Sequence, residues 1–122
     1  MIDIKKYNQD NIFSKILKKE IPSKCIFEDD FVYAFEDINP QAPIHILIIP
    51  KKSFCSLDDF SSQADELTIF SFMRSISRIA KMVNLKNGYR IISNIGFDGG
   101  QEVPHFHIHL IGGKKLGAIV SK

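Results

Sequence analysis

The sequence predicts an α+β fold, a mainly antiparallel five-stranded sheet carrying one short and one long helix. Three observations carry that prediction. Apolar runs come in the order helix, strands, helix, strands. Short turns between extended runs favour antiparallel pairing. Only residues 62–84 hold a helical period long enough to cover a sheet.

The short helix is expected over Asn11–Glu20. Asp10 or Asn11 can cap it, Ile12, Phe13, Ile16 and Leu17 give it an apolar side, and Pro22 follows its end. Two extended runs follow, Lys24–Glu28 and Phe31–Glu36, with Asp29-Asp30 suited to a tight turn between them. The segment 37–43 holds Pro40 and Pro43, which cannot donate to a ladder, and reads as a loop. Ile44–Ile49 then reads as a buried strand, apolar on both faces except at His45, and Pro50-Lys51-Lys52 ends it.

The long helix is expected over Ser62–Asn84, with Ser62 and Asp65 resembling a capping box. Ile69, Phe72, Met73, Ile76, Ile79, Ala80 and Val83 fall within an arc of about 120°, and Arg74, Arg78 and Lys81 lie opposite. That is the pattern of a helix packed on a sheet. Asn87-Gly88 marks the turn out. The last strands are expected over Tyr89–Asn94 and from His105 or Phe106 to Ile111.

The totals bound what the chain can be. Its 122 residues suit one compact domain with one real core. With 44% hydrophobic and 25% charged residues it has an ordinary globular composition, and a formal charge of +2, with the basic residues dispersed, gives no sign of a nucleic-acid partner. Cys25 and Cys55 form no CxxC or Cys-His metal spacing, and read as reduced thiols. The N-terminus has no uninterrupted apolar stretch of a secretory signal, and no run approaches the ~20 apolar residues of a membrane span. A cytoplasmic protein with no membrane partner is expected.

The chemistry is concentrated in His105-Phe106-His107-Ile108-His109. On a strand, residues i, i+2 and i+4 share a face. The three histidines then form one row, while Phe106, Ile108 and Leu110 face the core. A single histidine on an apolar face is usually a satisfied core residue. Three in strict alternation are hard to explain by packing, because unpartnered buried imidazoles are costly.

Two functional readings follow. In the first the row binds metal. Adjacent same-face residues lie about 6.6 Å apart, so two rings can converge on one zinc. The outer pair, about 13 Å apart on a straight strand, cannot share it, although His45 offers a third ligand. In the second reading an imidazole attacks phosphorus. With a reference pKa of ~6.5 it is a neutral nucleophile near pH 7, and neighbouring rings disfavour its protonation. Gly99-Gly100-Gln101, just before the row, favours the second reading, because such a turn can aim backbone N–H groups at an anion. His45 is as readily a core histidine as a site residue. Asp37 is suited to ribose hydroxyls but is also an ordinary loop or cap aspartate.

The run His105-Phe106-His107-Ile108-His109-Leu110-Ile111 resembles the signature of the histidine triad (HIT) superfamily. The resemblance extends to its Hint branch through Ile12-Phe13, Lys19-Glu20-Ile21-Pro22, Phe27-Glu28-Asp29-Asp30, the run 35–45 from Phe35 to His45, Ile49-Pro50-Lys51-Lys52, Gly88-Tyr89-Arg90 and Asp98-Gly99-Gly100-Gln101. The closing Gly112-Gly113-Lys114-Lys115-Leu116-Gly117 looks like the bacterial members.

That resemblance implies a purine nucleoside phosphoramidase-type hydrolase acting on AMP-like substrates. His107 takes the role of the nucleophile that forms a nucleotidyl-histidine intermediate. His109, His105 and His45 would hold phosphate oxygens, orient the nucleophile or assist the leaving group. Asp37 matches the ribose-binding aspartate, with Ile38 beside the nucleoside. Asn94, Gly100, Gln101 and Glu102 match positions lining the phosphate. Ile12, Phe13, Ile16, Phe35 and Leu47 match the base pocket, and Ile108 is placed among the ligand contacts. The family implies no metal or other cofactor, and a homodimer with one sheet running through both protomers. Rival readings are a dinucleoside polyphosphate hydrolase or nucleotidyl transferase, and a non-catalytic purine nucleotide-binding module. Two departures bear on the leaving group: Glu102 stands where animal Hint proteins have serine, and the C-terminus lacks their aromatic segment.

Overall fold

The computed structural model describes residues 1–121. It holds eight elements: α1 (Ile12–Leu17), β1 (Cys25–Glu28), β2 (Val32–Glu36), β3 (Ile44–Pro50), α2 (Leu57–Gln63), α3 (Glu66–Met82), β4 (Tyr89–Ile92) and β5 (Ile108–Gly112). The strands form one five-stranded sheet in the order β1-β2-β3-β5-β4, with every neighbouring pair antiparallel. The α+β fold read from the sequence is the fold observed. Among the described residues, no helix is long and apolar enough to cross a membrane.

Strand alternation divides the core into two layers. Val32 and Ala34 of β2, Ile46 and Ile48 of β3, and Ile108 and Leu110 of β5 pack with Phe60 of α2 and Phe72, Ile79 and Ala80 of α3. Tyr33, Phe35, Leu47 and Ile49 pack on the other face with Phe13 and Ile16 of α1. Each central strand is therefore covered on both sides. The β1–β2 turn is tied by Asp29, whose Oδ1 accepts the N–H groups of Phe31 and Val32 at 2.7 and 2.9 Å.

Several boundaries differ from the sequence reading. The helix α1 is capped by Asn11, which accepts the Ser14 N–H at 2.9 Å, but it stops at Leu17 rather than Glu20. Lys19 has φ 63°, a left-handed conformation that no helix continues through. The sequence reading contains no α2. Its capping box is formed by Ser56 and Asp59, not by Ser62 and Asp65. Ser62 lies inside α2, and Asp65 is itself the N-cap of α3, accepting the Thr68 N–H at 2.8 Å. The long helix thus starts at Glu66. Met73, at the rim of the apolar arc, is 59% exposed rather than buried.

The strand β5 starts at Ile108, not at His105 or Phe106. Pro104 has no N–H to donate, and the Phe106 N–H goes to the Phe54 carbonyl at 2.7 Å instead of a neighbouring strand. The alternation persists without the ladder: Phe106 joins Ile108 and Leu110 in the α2–α3 layer.

Candidate active site

The site is a cleft of about 430 Å³ between α1 and the loop 37–41, lined also by Asn94, Gly100 and Glu102. Its apolar wall comes from the α1 layer: Ile12, Phe13, Ile16, Phe35 and Leu47, joined by Ile21, Pro22 and Val103. The polar wall holds His45, His107 and His109 with Asp37. Antiparallel register explains the convergence, since Leu47 pairs with His109 and His45 with Ile111. The two histidines sit diagonally on adjacent strands, on the face opposite α3.

The hydrogen bonds fix where each proton resides. The His107 Nδ1 lies 2.8 Å from the His105 carbonyl, an acceptor only, so Nδ1 carries the proton and Nε2 keeps its lone pair. Among the described residues Nε2 has no hydrogen-bond partner, yet no fully buried side-chain polar atom lacks one. It is therefore open to the cleft, with the Phe13 ring edge-on at 4.9 Å. Ser93 Oγ braces the same residue by donating to the His107 carbonyl at 2.9 Å.

His45 has the opposite polarity. The Gln41 N–H donates to its Nδ1 at 3.0 Å, so the proton is on Nε2. That proton points to His109 Nδ1 at 2.8 Å, with Asp37 Oδ2 at 3.4 Å. His109 must then carry its own proton on Nε2. The cleft so receives a lone pair from His107 and a donor from His109, their rings 5.2 Å apart.

All four rings are held neutral. Burial, the largest influence on each, pushes His45 and His107 below the usual 6.5 and His105 and His109 down to about 4. For His109 the neighbouring rings of His107 and His45 act in the same direction, and Asp37 opposes them.

Ligand atoms of Asp37, His45 and His109 lie within 4.8 Å of one another, close enough to suggest a metal. The proton pattern opposes it. A metal-bound imidazole donates its second N–H to an acceptor. The second nitrogen of His45 instead receives the Gln41 N–H, so binding metal at Nε2 would break that bond. The arrangement is a relay of hydrogen bonds.

Three residues stand elsewhere than the sequence reading placed them. The His105 ring is completely buried and does not line the cleft. Its Nε2 donates to the Pro50 carbonyl at 2.9 Å, and its Nδ1 lies 2.6 Å from the Tyr7 hydroxyl. Of the roles expected for it, the geometry offers orientation of the His107 ring, through its carbonyl. Ile108 points into the α3 layer, away from the cleft, because residues 107 and 108 lie on opposite faces. Gln101 is buried behind the loop. Its Oε1 accepts the Gly96 N–H at 2.9 Å, and its Nε2 donates to the Cys55 and Val103 carbonyls at 2.7 and 2.9 Å.

The anion nest expected at Gly99-Gly100-Gln101 is also corrected. Gly100 has the positive φ of 77° that the turn needs, but its N–H goes to the Phe97 carbonyl and that of Gln101 to Gly96, both at 3.0 Å. Those donors are consumed by the turn. The loop is a brace, and Gln101 is its pin. Replacing Gln101 with Ala removes three hydrogen bonds and should cost roughly 2–4 kcal/mol of stability in urea unfolding. A loss below about 0.5 kcal/mol would show that Gln101 does not pin the loop.

The other expected residues line the cleft. Asp37, Asn94, Gly100 and Glu102 are on its polar side, and Ile38, 87% exposed, is at its rim. Sequence reasoning missed Gln41 and Ser93, since one acts through its backbone N–H and the other on a backbone carbonyl. No residue-type pattern marks such groups.

Three imidazoles at a cleft and a fourth behind them, on an antiparallel sheet, define the class: a histidine-based enzyme site. Residues 18–116 match the HIT domain. The purine nucleoside phosphoramidase of Escherichia coli (strain K12) is 42% identical over 114 residues, covering 93% of this chain and 95% of that protein. An uncharacterised HIT-like protein of Azospirillum brasilense is 46% identical over 119 residues, 97% of this chain and 98% of its own. A solved HIT family hydrolase from Clostridium thermocellum gives a TM-score of 0.85 at 35% identity, covering 93% of this chain and 99% of that one. A histidine triad protein from Clostridium difficile gives 0.83 at 46% identity, covering 94% and 100%. The chain belongs to the histidine triad family, as one of its hydrolases.

Proposed function

We propose that the chain is a purine nucleoside 5′-phosphoramidase, hydrolysing AMP-like substrates through a nucleotidyl-His107 intermediate. One observation carries the reading: the His105 carbonyl fixes the proton on His107 Nδ1 and leaves the Nε2 lone pair at the cleft. The 42% identity to a purine nucleoside phosphoramidase supports it.

In the first step Nε2 forms a bond to the α-phosphorus as the P–N bond to the amine breaks. The amine departs with a proton drawn from water through the open cleft. His107 is then an Nε2-phosphorylated imidazolium, and the His105 carbonyl stabilises its remaining Nδ1–H. His109 Nε2–H donates to a phosphoryl oxygen where negative charge grows, held on line by His45 and Asp37. Water next attacks phosphorus and displaces the neutral imidazole. Its proton passes to solvent, and the nucleoside monophosphate leaves. Asp37 at the mouth suits the ribose, and the wall of Ile12, Phe13, Ile16, Phe35 and Leu47 suits the base. Glu102 lies on the cleft and suits contact with a leaving amine.

Rates on an adenosine phosphoramidate and a dinucleoside polyphosphate, measured side by side, test the assignment. A faster polyphosphate reaction would replace it with the rival hydrolase reading. Tight AMP binding without turnover of any P–N or P–O substrate would replace it with a nucleotide-binding module.

The homodimer is part of the same proposal. The strand β4 ends the sheet, with Tyr89 and Ile91 42% and 39% exposed, and a second copy could extend the ladder there. Sedimentation equilibrium giving the monomer mass at micromolar concentration would rule it out.

A further inference from the structure

We propose that Tyr7 is a positioning residue for His107, acting through His105. The proposal rests on the reading of His107 as nucleophile. Tyr7 precedes the matched HIT region of residues 18–116 and does not line the cleft.

The peptide unit joining His105 and Phe106 sets the nucleophile's tautomer. Its carbonyl accepts the His107 Nδ1–H at 2.8 Å, and its N–H donates to the Phe54 carbonyl at 2.7 Å. It lies outside the sheet, because β5 starts only at Ile108. No ladder holds the residue that bears this carbonyl. Its own ring does, by a bond at each nitrogen. Nε2–H donates to the Pro50 carbonyl at the end of β3, and Nδ1 accepts from the Tyr7 hydroxyl. The Tyr7 ring also meets the imidazole edge-on at 5.5 Å.

Tyr7 is itself held. The Asn11 Nδ2 donates to the Tyr7 oxygen at 3.2 Å and to the Asn8 carbonyl at 2.8 Å. The same Asn11 caps α1 through Oδ1, and α1 carries the Phe13 that meets the His107 ring. The segment 7–11 thus links the nucleophile's orienting peptide to the helix beside it.

Removing the Tyr7 hydroxyl leaves His105 Nδ1 buried without a donor. The ring is then held at one nitrogen only and gains by rotating towards another donor, which disturbs the Pro50 bond. A shift of the residue that bears the carbonyl weakens the acceptor that favours the His107 Nε2 lone pair.

The test is Tyr7→Phe, read two ways. Turnover of an adenosine 5′-phosphoramidate should fall about tenfold in kcat, since small misplacements of a reacting group are costly, with KM within about twofold. Nitrogen-15 spectra of the ligand-free protein should show the ring nitrogens of both His105 and His107 displaced, His107 away from the pure Nδ1–H form. Ring signals at their wild-type positions overturn the proposal, whatever kcat does. So does an unchanged kcat where the wild type turns the substrate over. A wild type inactive on phosphoramidates defeats the phosphoramidase reading instead, and the spectra still decide on Tyr7.

Discussion

Replacing His107 with Ala should lower kcat on an adenosine 5′-phosphoramidate by about 10⁴-fold or more, while AMP still binds. The expectation follows from the division of roles at the cleft. His107 alone offers a lone pair there, because the protons of His45 and His109 are placed on Nε2 by the Gln41 N–H and the relay. No neighbour can substitute for it. The apolar wall and Asp37 remain, so binding should weaken only severalfold. A second signature is the intermediate: acid-quenched wild type should carry a nucleotidyl mass that the variant lacks. Undiminished turnover by the variant would sink the assignment.

Acidification from pH 7 to pH 4 should remove a large part of the stability. His105 has a folded pKa of about 4 against an ordinary 6.5, because its ring is buried. Above pH 6.5 the ring is neutral in both states, and the full stability is present. Between 6.5 and 4 the unfolded chain binds a proton that the folded chain refuses, so stability falls as the pH falls. For His105 alone the loss reaches roughly 3 kcal/mol by pH 4. His109, shifted to the same value, adds to it, discounted for its partial exposure. Urea midpoints at pH 7, 5.5 and 4 measure the effect, and a midpoint constant over that range would contradict it. Since burial also lowers His107, the acid limb of kcat/KM should lie below pH 6.5.

The central strands were legible because their apolar runs are short, continuous and bounded by turn residues, the mark of a strand buried on both faces. Which layer each residue joins, Val32 and Ala34 one and Tyr33 and Phe35 the other, is set by the packing of the helices. The Asp29 turn and the apolar stripe of α3 were legible for the same reason: local chemistry and local period decide them. The helix α2 was not, because Ser-x-x-Asp occurs at both Ser56 and Ser62, and only tertiary packing of Phe60 chooses between them. The facing of the triad was also readable, since 105, 107 and 109 differ by two. The inequality of its members was not. That the His105 ring turns inward to Pro50 and Tyr7 depends on groups 55 and 98 residues away. The Gly99-Gly100 turn was recognisable as a turn, but its N–H groups could be assigned only once Phe97 and Gly96 were seen to accept them.

The cleft wall has a consequence for selectivity. Although the chain has a formal charge of +2, Glu36, Asp37 and Glu102 line the cleft, with no Lys or Arg among the described lining residues. An anion entering it meets neutral N–H donors rather than fixed positive charge. Affinity for a mononucleotide should therefore change little with ionic strength, unlike capture by a basic groove, which weakens steeply as salt screens it. Each additional phosphate brings repulsion from the carboxylates and no compensating cation. On the proposed reading, the same wall should disfavour nucleic acid strands and long phosphate chains, sorting ligands by how little charge they carry.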